Sequence, residues 1–296
     1  MRSRRTNAGL WYIGACCGLS LTPLTHACKS RSRQPAVDSC GALGCALFDS
    51  PEVALERVLQ SSPGVLAVGE THVQKGTETV ESATQRFTES LLPRLASRAS
   101  DLVIELWVAE GACGRTEQRV AEQQKPVTRT QAPSAQSEFV KLAERAKLLG
   151  IQPHVLRPPC VDYQRIADAG AEAVDRMLEL VARLTAEKVE ALVKRNRALH
   201  SDRLVITYGG AIHNDLRPGA GHEAWSFGPR LEKFSGGRYV ELDLIVPEYM
   251  KETDAWRSLP WYAEFRPGQF PGRVTLFNPS LRSYALIFAR SAVAAK

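Results

Sequence analysis

Val65-Leu66-Ala67-Val68-Gly69-Glu70-Thr71-His72 is a short apolar run that stops at a glycine and then presents two ionisable side chains. It reads as a buried strand opening into a site, because ligands of open α/β sheets bind in the crevice beyond the carboxyl ends of parallel strands. Strand alternation puts Glu70 and His72 on one face. A carboxylate and an imidazole held together act as acid and base or as metal ligands. A helix cap followed by a solvated histidine is the plainer reading, so Gly69-Glu70-Thr71-His72 needs partners elsewhere in the chain.

Two further apolar runs supply them. Leu102-Val103-Ile104-Glu105-Leu106-Trp107 reads as a second strand with one carboxylate near its end. A lone buried carboxylate is costly, so Glu105 must meet a cation or project into a polar pocket. Leu204-Val205-Ile206-Thr207-Tyr208-Gly209-Gly210 repeats the opening pattern and leads into Ala211-Ile212-His213-Asn214-Asp215. The glycines are expected to let the backbone turn sharply and set His213 in the first helical turn above the sheet. Two histidines and two glutamates at one sheet edge fit a divalent-metal site with an open position, or a metal-free acid/base pair acting on water. In either form Glu70, His72, Glu105 and His213 carry the chemistry, and Asn214 and Asp215 are expected to orient His213. No Gly-x-Ser-x-Gly elbow occurs and no Gly-x-x-x-x-Gly-Lys-Ser/Thr run, which disfavours a serine hydrolase and a nucleotide hydrolase.

The remaining pattern is that of an α/β domain with a mostly parallel central sheet and helices on both faces. Ser50-Pro51 opens a helix through Leu59, with Ser as N-cap and Pro at the first helical position. Val80, Ala83, Phe87, Leu91 and Leu95 recur at helical spacing, as do Phe139, Leu142, Ala146 and Leu149 in a helix over 138–149. Residues 111–137 are polar and read as a long loop with one helical turn, of the kind that forms lids. A weaker third strand is expected to begin after Pro153, with His154 as a structural histidine. Residues 162–200 read as a helical region broken near Thr185, and 219–222 as a mobile loop. Runs at 239–246, 274–277 and 284–288 read as antiparallel strands added at the sheet edge. The segment 249–271 carries Trp256, Trp261, Tyr262, Phe265 and Phe270, which read as a loop packed on the core, with an apolar ligand wall as the alternative.

Charge and cysteine usage bound the setting. The net charge of +6 resides in Arg2, Arg4, Arg5, Lys29, Arg31 and Arg33, and the rest of the chain balances at zero. A neutral body without a basic stripe argues against a nucleic-acid partner. Residues 1–27 read as an export signal with a basic start and an apolar core from Ala8 to Leu24. Cleavage before Cys28 would leave a cysteine for lipid attachment, with 28–39 as a basic, polar tether and 40–296 as one domain. Ile13-Gly14-Ala15-Cys16 is the competing cleavage point. Beyond Cys28 four cysteines remain, Cys40, Cys45, Cys113 and Cys160, an even number suited to a disulfide-permissive compartment. Cys40 with Cys45 would close a small loop and Cys113 with Cys160 would join two loops at one sheet edge, although sequence leaves the pairing open. The absence of Cys-x-x-Cys disfavours a four-cysteine metal site.

At Gly69-Glu70-Thr71-His72, at Glu105 within Val103-Ile104-Glu105-Leu106-Trp107, and at Gly210-Ala211-Ile212-His213, the chain resembles the superfamily of erythromycin esterases, Tiki and TraB proteins and ChaN-like haem-binding lipoproteins. The resemblance spans about residues 60–216, in order. It implies a parallel sheet with a polar site built from Glu70, His72, Glu105 and His213. It further implies one of three activities: water-activated ester hydrolysis, metal-dependent proteolysis, or haem binding. The export signal and Cys28 look most like the ChaN-like branch. The expectation is therefore an exported, lipid-anchored protein of the bacterial periplasm or cell envelope that hydrolyses a small-molecule or peptide ester or amide, with haem or another planar ligand as the alternative occupant.

Overall fold

The computed structural model describes residues 38–266 and 268–291. The signal, Cys28 and nearly all of the tether lie outside them. Nine strands form one sheet: β1 (Asp38–Ser39), β2 (Ala46–Phe48), β3 (Val65–Glu70), β4 (Ala99–Trp107), β5 (Gln152–Leu156), β6 (Leu204–Gly210), β7 (Tyr239–Ile245), β8 (Val274–Ser280) and β9 (Ser283–Ile287). Their order is β1-β2-β8-β9-β7-β3-β6-β4-β5. From β9 to β5 every neighbouring pair is parallel, whereas β8, β2 and β1 join antiparallel.

The helices are α1 (Pro51–Leu59), α2 (Ala83–Arg86), α3 (Leu92–Leu95), α4 (Arg115–Thr128), α5 (Ser134–Leu148), α6 (Cys160–Asp168), α7 (Ala173–Ala198), α8 (Ala211–Asn214), α9 (Gly228–Ser235) and α10 (Asp254–Arg257). Residues Leu66, Val68, Leu102, Ile104, Ile206, Tyr208, Leu242 and Leu244 bury one sheet face against α1, the continuous helical segment 83–95 and α5 through Leu55, Phe87, Leu91 and Leu142. Val65, Ala67, Val103, Val205 and Tyr239 bury the other against α7 and α9 through Val189 and Leu231. Both faces are thus dry, which is why these strands read as unbroken apolar runs.

Several expectations are corrected. The run at 239–246 is a central strand, parallel to β3, and β9 is parallel to β7, so the antiparallel addition at the C-terminal end is β8. Residues 115–128 are helical, where sequence suggested a loop. Helix α4 buries only Val120 and is held by Arg119 and Gln123 donating to the Ala167 carbonyl at 2.6 and 3.3 Å, so its apolar pattern is too thin to see. The long helical region breaks at 169–172, where Gly170 has φ +58°, and α7 then runs through Thr185 unbroken. Pro153 lies inside β5, tolerated because β5 is an edge strand. Asp38 and Ser39 leave the tether and pair with β2.

The disulfides are Cys40–Cys45 and Cys113–Cys160, the second tying the segment after β4 to the start of α6. Among the described residues no helix is long and apolar enough to cross a membrane. Trp256, Trp261, Tyr262 and Phe265 pack around Ile245, Phe277, Ala285 and Ile287, the core-packed loop that sequence suggested.

Candidate functional site

Strands β3, β6 and β4 lie side by side, and Glu70, the last residue of β3, is opposite Gly210. The chain leaves β3 over one face toward β4 and leaves β6 over the other face toward β7. Such a reversal opens a crevice above the strand ends. Glu70 follows Leu66 and Val68 onto one face, with its carboxylate 1% exposed. Glu105 follows Val103 onto the opposite face, next to a register shift between Ile104 and Trp107.

Four side chains form two pairs. His72 Nδ1 and Glu70 Oε1 are 2.6 Å apart, and the ring stands edge-on to Phe139 with centroids 5.7 Å apart. His213 Nε2 faces Glu105 Oε1 at 3.5 Å, while Gly210 N donates to Glu105 Oε2 at 2.6 Å. His213 Nδ1 lies 2.7 Å from the Trp225 carbonyl, which can only accept, so Nδ1 carries a proton and Nε2 is left toward the site. The pairs meet above Gly210. A Cβ there would stand 3.5 Å from His72 Nε2, 3.6 Å from Glu105 Oε2 and 3.9 Å from His213 Cδ2.

Glycines at 69 and 209 make this approach feasible, through space and not through turning. Neither has positive φ. A Cβ at 209 would collide with the Glu105 carboxylate, and one at 69 would stand 2.5 Å from Asn214 Oδ1 and 2.6 Å from Asp243 Oδ1. The chain does turn at once from β6 into α8, which carries His213, but what the glycines supply is a cut-out in the sheet face that receives polar side chains.

Burial and mutual charge set the protonation states. Burial pulls the His72 imidazole down, but the hydrogen bond and charge of Glu70, with the charge of Glu105, lift it to about 9. Burial would raise Glu105, yet His213, His72 and the Gly210 N–H hold it at about 2. His213 is desolvated and still raised, because Glu105 and the Trp225 carbonyl favour its charged form. At neutral pH His72 is an imidazolium and Glu105 a carboxylate. Glu70 Oε2 is buried without a hydrogen-bond partner.

The structure thus brings Glu70, His72, Glu105 and His213 together, and assigns Asn214 and Asp215 other contacts than expected. Asn214 Nδ2 donates to the Ala67 carbonyl at 3.3 Å and to Asp243 Oδ1 at 3.0 Å, and Asp215 Oδ1 accepts from Arg217 N at 2.7 Å. The group that orients His213 is the Trp225 carbonyl, in a short helical turn just after the expected mobile loop; nothing in a main-chain carbonyl shows in sequence. Glu241 and Asp243 lie on β7, and an edge-strand pattern over 239–246 gives no sign that they adjoin the site. Glu241 is buried and accepts from Leu216 N, Asp243 is half-buried and accepts from Asn214 of α8, and burial with neighbouring carboxyls pushes both upward. Among the described residues no group of three or more His, Cys, Asp or Glu is arranged to hold a metal ion. The donor chemistry nevertheless suits one: each imidazole directs Nε2 to the hollow and engages Nδ1 with an oxygen, as metal-binding histidines commonly do.

No family model matches the chain, and no curated protein matches it. Among solved structures it is similar to the type III effector HopBA1, at 11% identity and a TM-score of 0.37, covering 79% of this chain and 92% of that one. It is also similar to a protein of Bacillus cereus, at 11% identity and a TM-score of 0.39, covering 81% and 92%.

Proposed function

We propose that the chain is an exported hydrolase-like protein that uses the two His–Glu pairs at the carboxyl edge of the sheet to activate water against an ester or amide. The observation that carries this reading is the meeting of His72 Nε2, Glu105 Oε2 and the His213 ring within 4 Å of one point above Gly210. Glu105, unprotonated across the neutral range, accepts a proton from the attacking water, and His213 fixes its orientation. His72, protonated up to about pH 9 and only 21% exposed, gives its proton to the leaving group. Glu70 keeps His72 charged. The resemblance to the erythromycin esterase, Tiki and ChaN-like superfamily supports the same four residues. Two disulfides support export to the periplasm or cell envelope, and Cys28 is the residue proposed to carry the lipid.

A second form of this reading is favoured by the Nδ1 contacts. His72, His213 and Glu105 would hold a divalent ion, which supplies Lewis acidity and an acidified water when bound. Such an ion must displace the protons that the carboxylates keep on both rings, so its affinity would rise with pH. Haem, the alternative occupant, would need a wall other than Trp256, Trp261, Tyr262 and Phe265, which pack on the core.

The test is to purify the full chain with and without added Zn2+, screen ester and peptide substrates, and repeat with His72→Ala. Turnover that falls at least about 100-fold in the variant supports the reading. A folded protein whose turnover is the same with and without His72, or that hydrolyses nothing with or without metal, overturns it. A Soret band on haem titration, without turnover, would assign the hollow to haem.

A further inference from the structure

A cavity of about 10 Å3 adjoins the site, and its wall includes Glu105, Thr185, Thr207, His213 and Asn214. That volume admits one water and no organic ligand. Two wall atoms lack a protein partner: Thr207 Oγ1 and Asn214 Oδ1. Thr207 is 2% and Asn214 1% exposed, so bulk water does not reach them. A buried polar oxygen left unpaired is costly, and here two residues that carry such oxygens line one small space.

The backbone explains the coincidence. Thr207 pairs in register with Ala67 and Val103, on the face that carries Glu105, two residues before the cut-out at Gly209. Asn214 is pinned through Nδ2 to the Ala67 carbonyl and to Asp243. That pinning leaves Oδ1, an acceptor only, without a donor. Glu105 has accepted one hydrogen bond from Gly210 N and retains lone pairs. The wall therefore offers the unpartnered Thr207 hydroxyl, able to donate, and two oxygens able to accept, a set that suits a single water molecule.

We infer that this cavity binds one internal water, which accepts from Thr207 Oγ1 and donates to Asn214 Oδ1 and to the Glu105 carboxylate. Thr207 is then a positioning residue: it acts on Glu105 through the water and touches no substrate. The inference uses only the pairing of Glu105 with His213 and requires no hydrolytic activity, so it stands or falls separately from the proposed function.

A high-resolution crystal structure of the full chain tests the water directly. Density within about 3.2 Å of Thr207 Oγ1, Asn214 Oδ1 and a Glu105 oxygen is the expected result, and a dry cavity overturns the inference. Thr207→Val keeps the shape and removes the hydroxyl. Without its donor the water is lost or displaced, so a crystal structure of Thr207→Val should lack that density and show the Glu105 carboxylate turned from its wild-type position, with Thr207→Ser restoring both. An unmoved Glu105 carboxylate in a folded Thr207→Val protein, or a Thr207→Ser protein as dry as the valine variant, removes the positioning role. If Thr207→Val does not fold, the wild-type density and the serine variant decide.

Discussion

The two ends of the sheet hold the same kinds of groups in opposite states of completion. Near the start of β4, Asp101 is fully buried, with Oδ1 2.8 Å from His154 Nε2 and Oδ2 bonded to Arg195. At the carboxyl end, Glu105 meets His213, and Glu70 meets His72. Burial would raise Asp101, but His154, Ser100 and Arg195 hold it at about 2, as low as Glu105. A depressed carboxyl therefore does not separate structure from chemistry. What separates them is satisfaction. Both oxygens of Asp101 are bonded, whereas the carboxyl end keeps Glu70 Oε2, Thr207 Oγ1 and Asn214 Oδ1 without protein partners, around sheet positions emptied to glycine. One end closes an ion network and the other holds polar atoms ready for something that is not protein.

The largest expected contrast comes from cutting each end once. His72→Ala should lower turnover at least about 100-fold, and because it leaves buried Glu70 without its partner it also costs about 3 kcal/mol of stability. Asp101→Asn should cost about as much stability by leaving Arg195 and His154 facing a neutral group, with turnover per folded molecule unchanged. Urea unfolding paired with an assay reads both, and loss of turnover in folded Asp101→Asn would erase the distinction.

Acid and alkali sharpen the comparison next. Both ends lose stability as pH falls from about 4.5 toward 2, because Asp101 and Glu105 have folded pKa values below their unfolded ones. Only the carboxyl end responds on the alkaline side. The raised His72 contributes stability that is complete below its unfolded value near 6.5 and is lost as pH rises through about 9. Unfolding free energy followed from pH 7 to 10 should decline in the wild type and stay flatter in His72→Gln; parallel profiles would show that Glu70 does not hold the proton there. The smallest effect is expected at His154→Gln, about 1 kcal/mol or less, because its ring is 20% exposed and Arg195 still serves Asp101.

Much of the site was legible because buried charge is conspicuous against apolar strands. Glu70, Glu105 and His213 each interrupt or follow an apolar run, and only a shared hollow makes three such interruptions affordable. The Cys113–Cys160 disulfide joins two cysteines that each follow a predicted strand, and Cys40–Cys45 closes the small loop expected of that pair. What escaped was whatever depends on a neighbour distant in sequence. Helix α4 owes its place to one buried valine and to hydrogen bonds onto α6. Helix α7 runs through Thr185 because α6 turns away at Gly170, ahead of it. Glu241 and Asp243 acquire their partners only because β7 lies between β3 and β9 and not at the sheet edge.

The amino-acid sequence by itself determined the alternation of strands and helices, the parallel core and the four ionisable residues at its edge, because hydrophobic period and the cost of buried charge are local properties. Tertiary structure alone decided which carboxylate pairs with which histidine, that a main-chain carbonyl at Trp225 orients His213, and that glycines 69 and 209 serve as space for side chains of other elements. Those outcomes follow from strand order: only when β6 settles between β3 and β4 do residues more than a hundred positions apart come within reach of a hydrogen bond.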